Sequence, residues 1–416
     1  MAQDKDQKTL NVPPLRFPGF TDEWKKTTLG EIGKTFNGLT GKNSNDFGQG
    51  SPYITYKSIF DNSKVDISRV EYVTITDNER IKSAQNVVRL GDIFFTTSSE
   101  TPTEVGMTSV LLDGIEDCYL NSFCFGYRLS NKEETLPEYF RFYLRASVIR
   151  NKLSILAQGS TRFNISKNEV MRMGINLPNS SEQEKIAALL SCIDERITTQ
   201  NKIIEDLKKL KSAIIDKLLG RVQTAQSDRM VKLGEIGKFT RGLTYSAEDI
   251  VEDGGIVVVR ANNLSNGEAV NFYNEIVRVD KPISGSQLLK YGDMVICMAN
   301  GSSALVGKAS YYNETTDSIA TIGAFCGIYR SDKKIVRWLL QTNKYKRVIH
   351  KSLQGGNGAI ANLTPNDILG LSFIIPKQEP SIVELLQGFD EKLDIEISLL
   401  HSLQKEKQYL LSQMFI

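Results

Sequence analysis

The sequence is written twice, and that duplication limits the fold more than any single motif does. The hexapeptide Leu29-Gly30-Glu31-Ile32-Gly33-Lys34 returns letter for letter at Leu233 to Lys238, and Gly38-Leu39-Thr40 returns in step at Gly242-Leu243-Thr244. Further pairs keep the same order. Gly91-Asp92-Ile93 matches Gly292-Asp293-Met294, Phe123-Cys124 matches Phe325-Cys326, and Asn164-Ile165-Ser166 matches Asn362-Leu363-Thr364. The offset drifts from 204 to 198 residues, as small loop insertions and deletions would cause. Two homologous half-chains follow.

Each half has the same internal plan. A mixed segment with strand-like runs, such as Asp92 to Thr97 and Gly255 to Arg260, precedes one strongly periodic segment. In the first half Ile186, Leu189, Ile193, Ile197, Ile204, Leu207, Leu210, Ile214 and Leu218 recur at helical spacing. In the second, Ile382, Leu385, Phe389, Leu393, Ile397, Leu400, Leu403, Leu410 and Met414 do so. Pro178, Asn179 and Ser180 lead into the first helix, with Ser181 and Glu184 at capping-box spacing, and Gly220 closes it. Each helix, at about 1.5 Å per residue, reaches ~57 Å, too long to lie inside a small domain. Packing against each other buries both stripes, so an antiparallel pair is expected. The predicted plan is 1–180 globular, 181–222 helix and linker, 223–376 globular, and 377–416 helix. The fold class is α+β, with two homologous mixed domains joined by two long antiparallel coiled-coil helices.

A chain of 416 residues exceeds what one core usually organises. Five cysteines without a C-x-x-C pair offer neither a disulfide framework nor a thiolate zinc site, which points to a reducing, cytoplasmic setting. The opening MAQDKDQKTL is too polar for a signal peptide, and no apolar run reaches the ~20 residues of a membrane helix. The net charge of +2 hides an uneven distribution, because the acidic second helix leaves an excess of +6 on the rest of the chain outside both helices. That mild excess permits phosphate contact without requiring it.

The usual reacting centres are missing. Gly30 to Thr35 has two residues, not four, between its first glycine and Gly-Lys, so it is a strand-end turn rather than a phosphate loop. Asn11-Val12-Pro13-Pro14 interrupts the N-P-P-aromatic pattern of adenine methyltransferases at Val12 and puts Leu15 where the ring should be. Only His350 and His401 exist, too few for a histidine metal cluster or a Ser-His-Asp set. Asp390-Glu391-Lys392 reads as the solvated face of a helix, and Gln354-Gly355-Gly356-Asn357-Gly358 as a mobile loop lacking the setting of a dinucleotide fingerprint.

Three stretches resemble a known family. They are Pro14-Leu15-Arg16-Phe17-Pro18-Gly19-Phe20 with Trp24 and Leu29 to Ile32, then Thr161-Arg162-Phe163-Asn164-Ile165-Ser166, and Leu177-Pro178 with Glu182-Gln183-Glu184-Lys185-Ile186-Ala187. Together with the duplicated plan they resemble the specificity subunits of type I restriction-modification systems. The second half departs at Lys377-Gln378-Glu379-Pro380-Ser381, which lacks the Glu-Gln pair. The resemblance implies two target recognition domains reading a split sequence of double-stranded DNA across a spacer set by the helices. It also implies two methyltransferase subunits acting on adenine with S-adenosylmethionine, and restriction subunits driven by ATP and Mg. None of these cofactors is then bound by this chain, no membrane is involved, and the chain is not itself an enzyme.

Base readers are expected among side chains that can donate or accept in pairs, on loops at one face of each domain. In the first they are Thr40, Lys42, Asn43, Lys57, Ser98, Ser99, Gln158, Thr161 and Arg162. In the second they are Arg241, Thr244, Tyr245, Arg260, Asn262, Asn263, Asn300, Ser302, Gln354 and Asn357. Turn formation is the competing role for each Asn and Ser. Two other readings remain: a coiled-coil scaffold that binds only proteins, and a self-sufficient methyltransferase or nuclease.

Overall fold

The structure, a computed structural model, describes residues 11–220, 229–273, 275–313, 319–353 and 361–416. The chain forms two compact units, one of residues 1–200 with 399–416 and the other of residues 201–398. Both unit boundaries fall inside the long helices, Ser180–Leu219 and Glu379–Gln413, so each unit contains one half of each helix.

The first unit is built on a four-stranded antiparallel sheet in the order Gly33–Asn37, Cys124–Leu129, Ile93–Thr96, Thr108–Val110. Phe94 and Phe95 alternate across it to two different cores, as period-2 side chains do. A second sheet, Glu71–Val73, Phe47–Ile54 and Tyr119–Leu120, ends in a parallel pair, Tyr53 opposite Tyr119. The short ribbon Ser98–Ser99 with Phe163–Asn164 lies beyond the first sheet, and Lys25–Thr28 pairs with Gly174–Leu177. Gly126 has to be glycine, because any Cβ there would meet the Phe36 ring on the neighbouring strand.

The second unit repeats this plan, except that two strands, Ile250–Val251 and Ile256–Val259, stand where the first has Phe47–Ile54. Its matching antiparallel sheet runs Lys238–Arg241, Cys326–Arg330, Met294–Cys297, Ala309–Tyr311, and its parallel pair sets Val258 opposite Thr321. Gly327 faces Phe239 as Gly126 faces Phe36. The Tyr127 hydroxyl donates to the Leu29 carbonyl at 2.7 Å, and the Tyr329 hydroxyl donates to Leu233 at 2.8 Å.

The two long helices run antiparallel wherever they meet. In the first unit the Lys407 ammonium lies 2.5 Å from the Asp194 carboxylate, which also accepts from Arg141 at 2.5 Å. In the second unit Lys211 pairs with Asp390, which also accepts from Arg337 at 2.8 Å. As the first helix advances from 194 to 211, its partner retreats from 407 to 390 over the same number of residues. Each triad therefore joins both helices to the globular part of its own unit. The end of the second helix completes the first unit's core, where Phe415 packs on Tyr139 and Tyr143 at 5.7 and 5.6 Å between ring centres.

Three expectations about the helices are corrected. Leu210 and Leu385 are about half exposed rather than in the seam, and Leu190, Ile215 and Leu386 are buried instead. Heptad spacing fits a partner helix alone, whereas these helices also bury a flank against their globules. The first helix is capped by Asn179, whose Oδ1 accepts from the Glu182 N–H at 2.9 Å, not by Ser181 with Glu184. Glu182 is fully buried and holds Arg16 by two hydrogen bonds of 2.7 Å, so the lead-in and the helix start are one joint. Asp390 is not on a solvated face, because its triad and the Trp338 indole enclose it.

Candidate nucleic-acid interface

In each unit, backbone pairing gathers five separated stretches at one end of the sheets. In the first, the Leu39 N–H donates to Leu120 at 2.7 Å and the Asn121 N–H to Ile54 at 3.0 Å, joining the turn after the first strand to the parallel pair. Thr97 N–H donates to the Phe123 carbonyl at 3.0 Å, and Ile165 N–H to Thr97 at 2.9 Å, bringing in the Ser98–Asn164 ribbon. The second unit reproduces each link. Leu243 donates to Ile322 at 2.7 Å, Gly323 to Val259 at 2.9 Å, Met298 to Phe325 at 2.8 Å and Leu363 to Met298 at 2.7 Å. Matching the parallel strands puts Thr55 where Arg260 stands, Lys57 where Asn262 stands, and Ser99 where Asn300 stands.

The second unit has a cleft of about 780 Å³ at this end. Five expected readers line it together, Thr244, Tyr245, Arg260, Asn262 and Asn300. Glu275 sits among them, with its carbonyl accepting from Arg260 at 2.8 Å and its carboxylate accepting from Asn262 at 3.3 Å. Glycine and alanine at Gly301, Gly323 and Ala324 leave backbone open to an approaching ligand.

The other expected residues divide between surface and scaffold. Thr40, Lys57, Gln158, Thr161, Arg162, Arg241 and Ser302 are exposed. Gln158 exchanges two backbone hydrogen bonds with Asn164, of 2.9 and 2.8 Å, which fix the base of the Thr161–Arg162 loop. Ser98 and Ser99 are buried in their ribbon, and the Tyr56 hydroxyl donates to the Ser98 carbonyl at 2.6 Å. Asn43 caps a 3-10 turn, its Oδ1 accepting from Asn45 N–H at 3.0 Å. Asn263, 1% exposed, closes a different 3-10 turn by accepting from Arg260 N–H and donating to the Asn271 carbonyl. Lys42 is committed to Glu79 at 2.7 Å, and with Thr76 it holds the Glu79 carboxyl down at about 2. Gln354 and Asn357 lie outside the described residues.

Sequence reasoning passed over the aromatic pair Phe123 and Phe325, used there only to align the halves. Both rings stand out into solvent at this end, 57% and 65% exposed, and Phe325 lines the cleft. Burial pushes the thiols of Cys118 and Cys326 up to about 12 and that of Cys124 higher still, so all three stay protonated. Among the described residues no three His, Cys, Asp or Glu side chains come together as metal ligands, and no helix is long and apolar enough to cross a membrane.

Comparison with known proteins gives one consistent result. A family model described as "Type I restriction modification DNA specificity domain" matches residues 21–209 and again 228–405. The putative type I restriction enzyme MjaX specificity subunit of Methanocaldococcus jannaschii is 29% identical over 230 residues, 52% of this chain and 53% of that protein. The MjaVIII specificity subunit of the same organism is 23% identical over 68% of this chain and 71% of its own length. The matched stretch thus spans about half of the first relative. In structure, the chain is similar to the crystal structure of a type I restriction-modification S subunit from M. genitalium. The TM-score is 0.56 at 17% identity, covering 97% of this chain and 99% of that one.

Proposed function

Because the chain belongs to the type I restriction modification DNA specificity family, we propose that its two units read the two parts of a split target in double-stranded DNA. The observation that carries this reading is the second unit's cleft, where Thr244, Arg260 with Asn262, and Asn300 converge from three separate stretches. Arginine and asparagine are the side chains that make paired contacts with guanine and adenine edges in the major groove. The repeated plan supports one such reader per unit. Grooves recur about every 34–36 Å along DNA, so the paired helices set the phase and spacing of the two contacts, and helix length becomes part of the specificity.

The chain works without catalysing. It positions methyltransferase subunits, which supply S-adenosylmethionine chemistry on adenine, and restriction subunits, which bring ATP, Mg and the nuclease, in the cytoplasm.

Co-expression with a methyltransferase subunit, followed by genome-wide mapping of methylated adenine, tests the reading. The expected result is one split motif with an unspecified spacer. Replacing residues 1–180 by those of a relative changes one half of that motif and leaves the other. Scattered or unsplit methylation would overturn the proposal.

A further inference from the structure

We infer that Phe123 and Phe325 are matched apolar contacts to DNA, one in each unit, pressed against the bases while polar neighbours set the sequence read. The inference rests on the DNA-reading function proposed above and names side chains within it.

Isolated exposed apolar side chains are ordinary and need no explanation. This pair differs because the internal repeat supplies two independent versions of one surface. Around the two rings that surface has diverged: Asn121-Ser122 became Gly323-Ala324, Thr55 corresponds to Arg260, Lys57 to Asn262 and Ser99 to Asn300. The exposed ring has not changed. No packing requirement accounts for it, since neither phenylalanine belongs to a buried cluster, and among the described residues neither ring stacks on another aromatic. The neighbouring cysteine, also retained, is fully accounted for by the core.

The backbone that carries each ring is held firmly. The Phe123 carbonyl accepts from Thr97 N–H at 3.0 Å and from the Thr97 hydroxyl at 2.8 Å, and its own N–H donates to Asn121 Oδ1 at 2.8 Å. The Phe325 carbonyl accepts from Met298 N–H at 2.8 Å and Ala299 N–H at 3.2 Å. Because the turn that presents the ring is already ordered, binding has no loop to order there.

The occupant is DNA because the ring shares its cleft with Arg260, Asn262 and Asn300, whose spare hydrogen-bonding groups suit base edges. Against DNA the apolar ring wedges between base steps, a contact that depends weakly on sequence. That weak dependence explains why the ring stays while its neighbours change.

The test uses the full chain with its methyltransferase subunits and a fluorescent duplex carrying the motif mapped for the unaltered complex. Phe123→Ala and Phe325→Ala are each expected to weaken binding about tenfold, the scale of losing one aromatic–base contact. Melting temperature and assembly with the methyltransferase stay unchanged, and Phe325→Trp restores binding. Binding within twofold of the parent for both alanine variants would overturn the inference, as would a loss traced to weaker methyltransferase assembly. Failure of the unaltered complex to yield a split motif would instead overturn the reading on which it rests.

Discussion

Arg128 grips the fully buried Asp92 carboxylate with two parallel hydrogen bonds, 2.7 Å from Nε and 2.6 Å from Nη2, and Arg330 grips Asp293 at the same two distances. The second Asp oxygen also accepts from a backbone N–H three residues upstream, Arg89 or Lys290, at 2.7 Å in both cases. Each pair ties the end of the strand Cys124–Leu129, or Cys326–Arg330, to the turn that begins the next strand of the sheet. The pairing was invisible as such in the repeat, where only Gly91-Asp92 and Gly292-Asp293 stood out.

Removing one partner of a buried pair leaves the other charge uncompensated, at a cost of about 3–5 kcal/mol. Asp92→Ala should therefore unfold the first unit early, and Asp293→Ala the second. The two tryptophans report them separately, since Trp24 is buried in the first unit and Trp338 in the second. Denaturant titrations of Trp338→Phe and Trp24→Phe backgrounds should show each Asp variant shifting its own unit. Equal shifts in both signals would contradict the assignment.

The helix triads predict coupling with a pattern. Asp194 and Lys407 share an ion pair in which both side chains are largely buried, with Arg141 as the third member. A double-mutant cycle of Asp194→Ala with Lys407→Ala should give a coupling energy of about 1–3 kcal/mol. Asp194→Ala with Lys211→Ala should give none, because Lys211 belongs to the Asp390 triad. An antiparallel register displaced by one turn would reverse or abolish this contrast.

Lys42 and Lys57 are separated by their partners. Glu79 is held at about 2, first by the Lys42 side chain and then by Thr76, so its folded value lies below the ordinary carboxyl value. The stability it contributes is present above the unfolded value, near 4.5, and is lost as pH falls through about 2. Carbon-detected NMR should find the Glu79 carboxyl ionised until about pH 2, and Lys42→Ala should move its midpoint toward the ordinary value. Lys57, exposed and without a partner among the described residues, is the better reader. Lys57→Ala should alter methylation of one half-site, and Lys42→Ala should not.

The duplicated plan, the α+β class and the two long helices were legible because repeat matching and helical period are local properties of the sequence. The seam was legible only in part. Leu385 and Leu386 both fit a helical stripe, and which one is buried depends on the angle at which the globule meets the helix. Of the expected readers, those following the parallel strands converged, because strand ends gather their next residues at one edge. Asn43 and Asn263 took the competing role of turn formers, which depends on backbone dihedrals that composition does not carry. Phe123 and Phe325 carried a legible signal, retention without burial, but burial is known only from the fold.

The helix Asn343–Leu353 supplies the last prediction. It holds Lys344, Lys346, Arg347, His350 and Lys351 and no acidic residue, while Tyr345 and Ile349 anchor its buried face. Lys346, Arg347 and Lys351 are exposed, and the chain continues from this helix to the strand Ala361–Asn362, which pairs with Asn300 at the cleft. The matching helix of the first unit, Ser147–Ile155, has no such face. Its Arg150 donates three hydrogen bonds to the carbonyls of Thr103, Val105 and Gly106, and burial lowers its guanidinium to about 10. The second unit should therefore carry more of the sequence-independent attraction to phosphate. Each neutralised phosphate contact changes the slope of log K against log salt by about 0.9. The triple variant Lys346→Gln, Arg347→Gln, Lys351→Gln should reduce that slope by up to about 2.7 on a mixed-sequence duplex. The methylated motif should stay the same, because phosphate contacts carry no base information. An unchanged slope would show that this helix faces away from the DNA, and a changed motif would make it part of the reading surface.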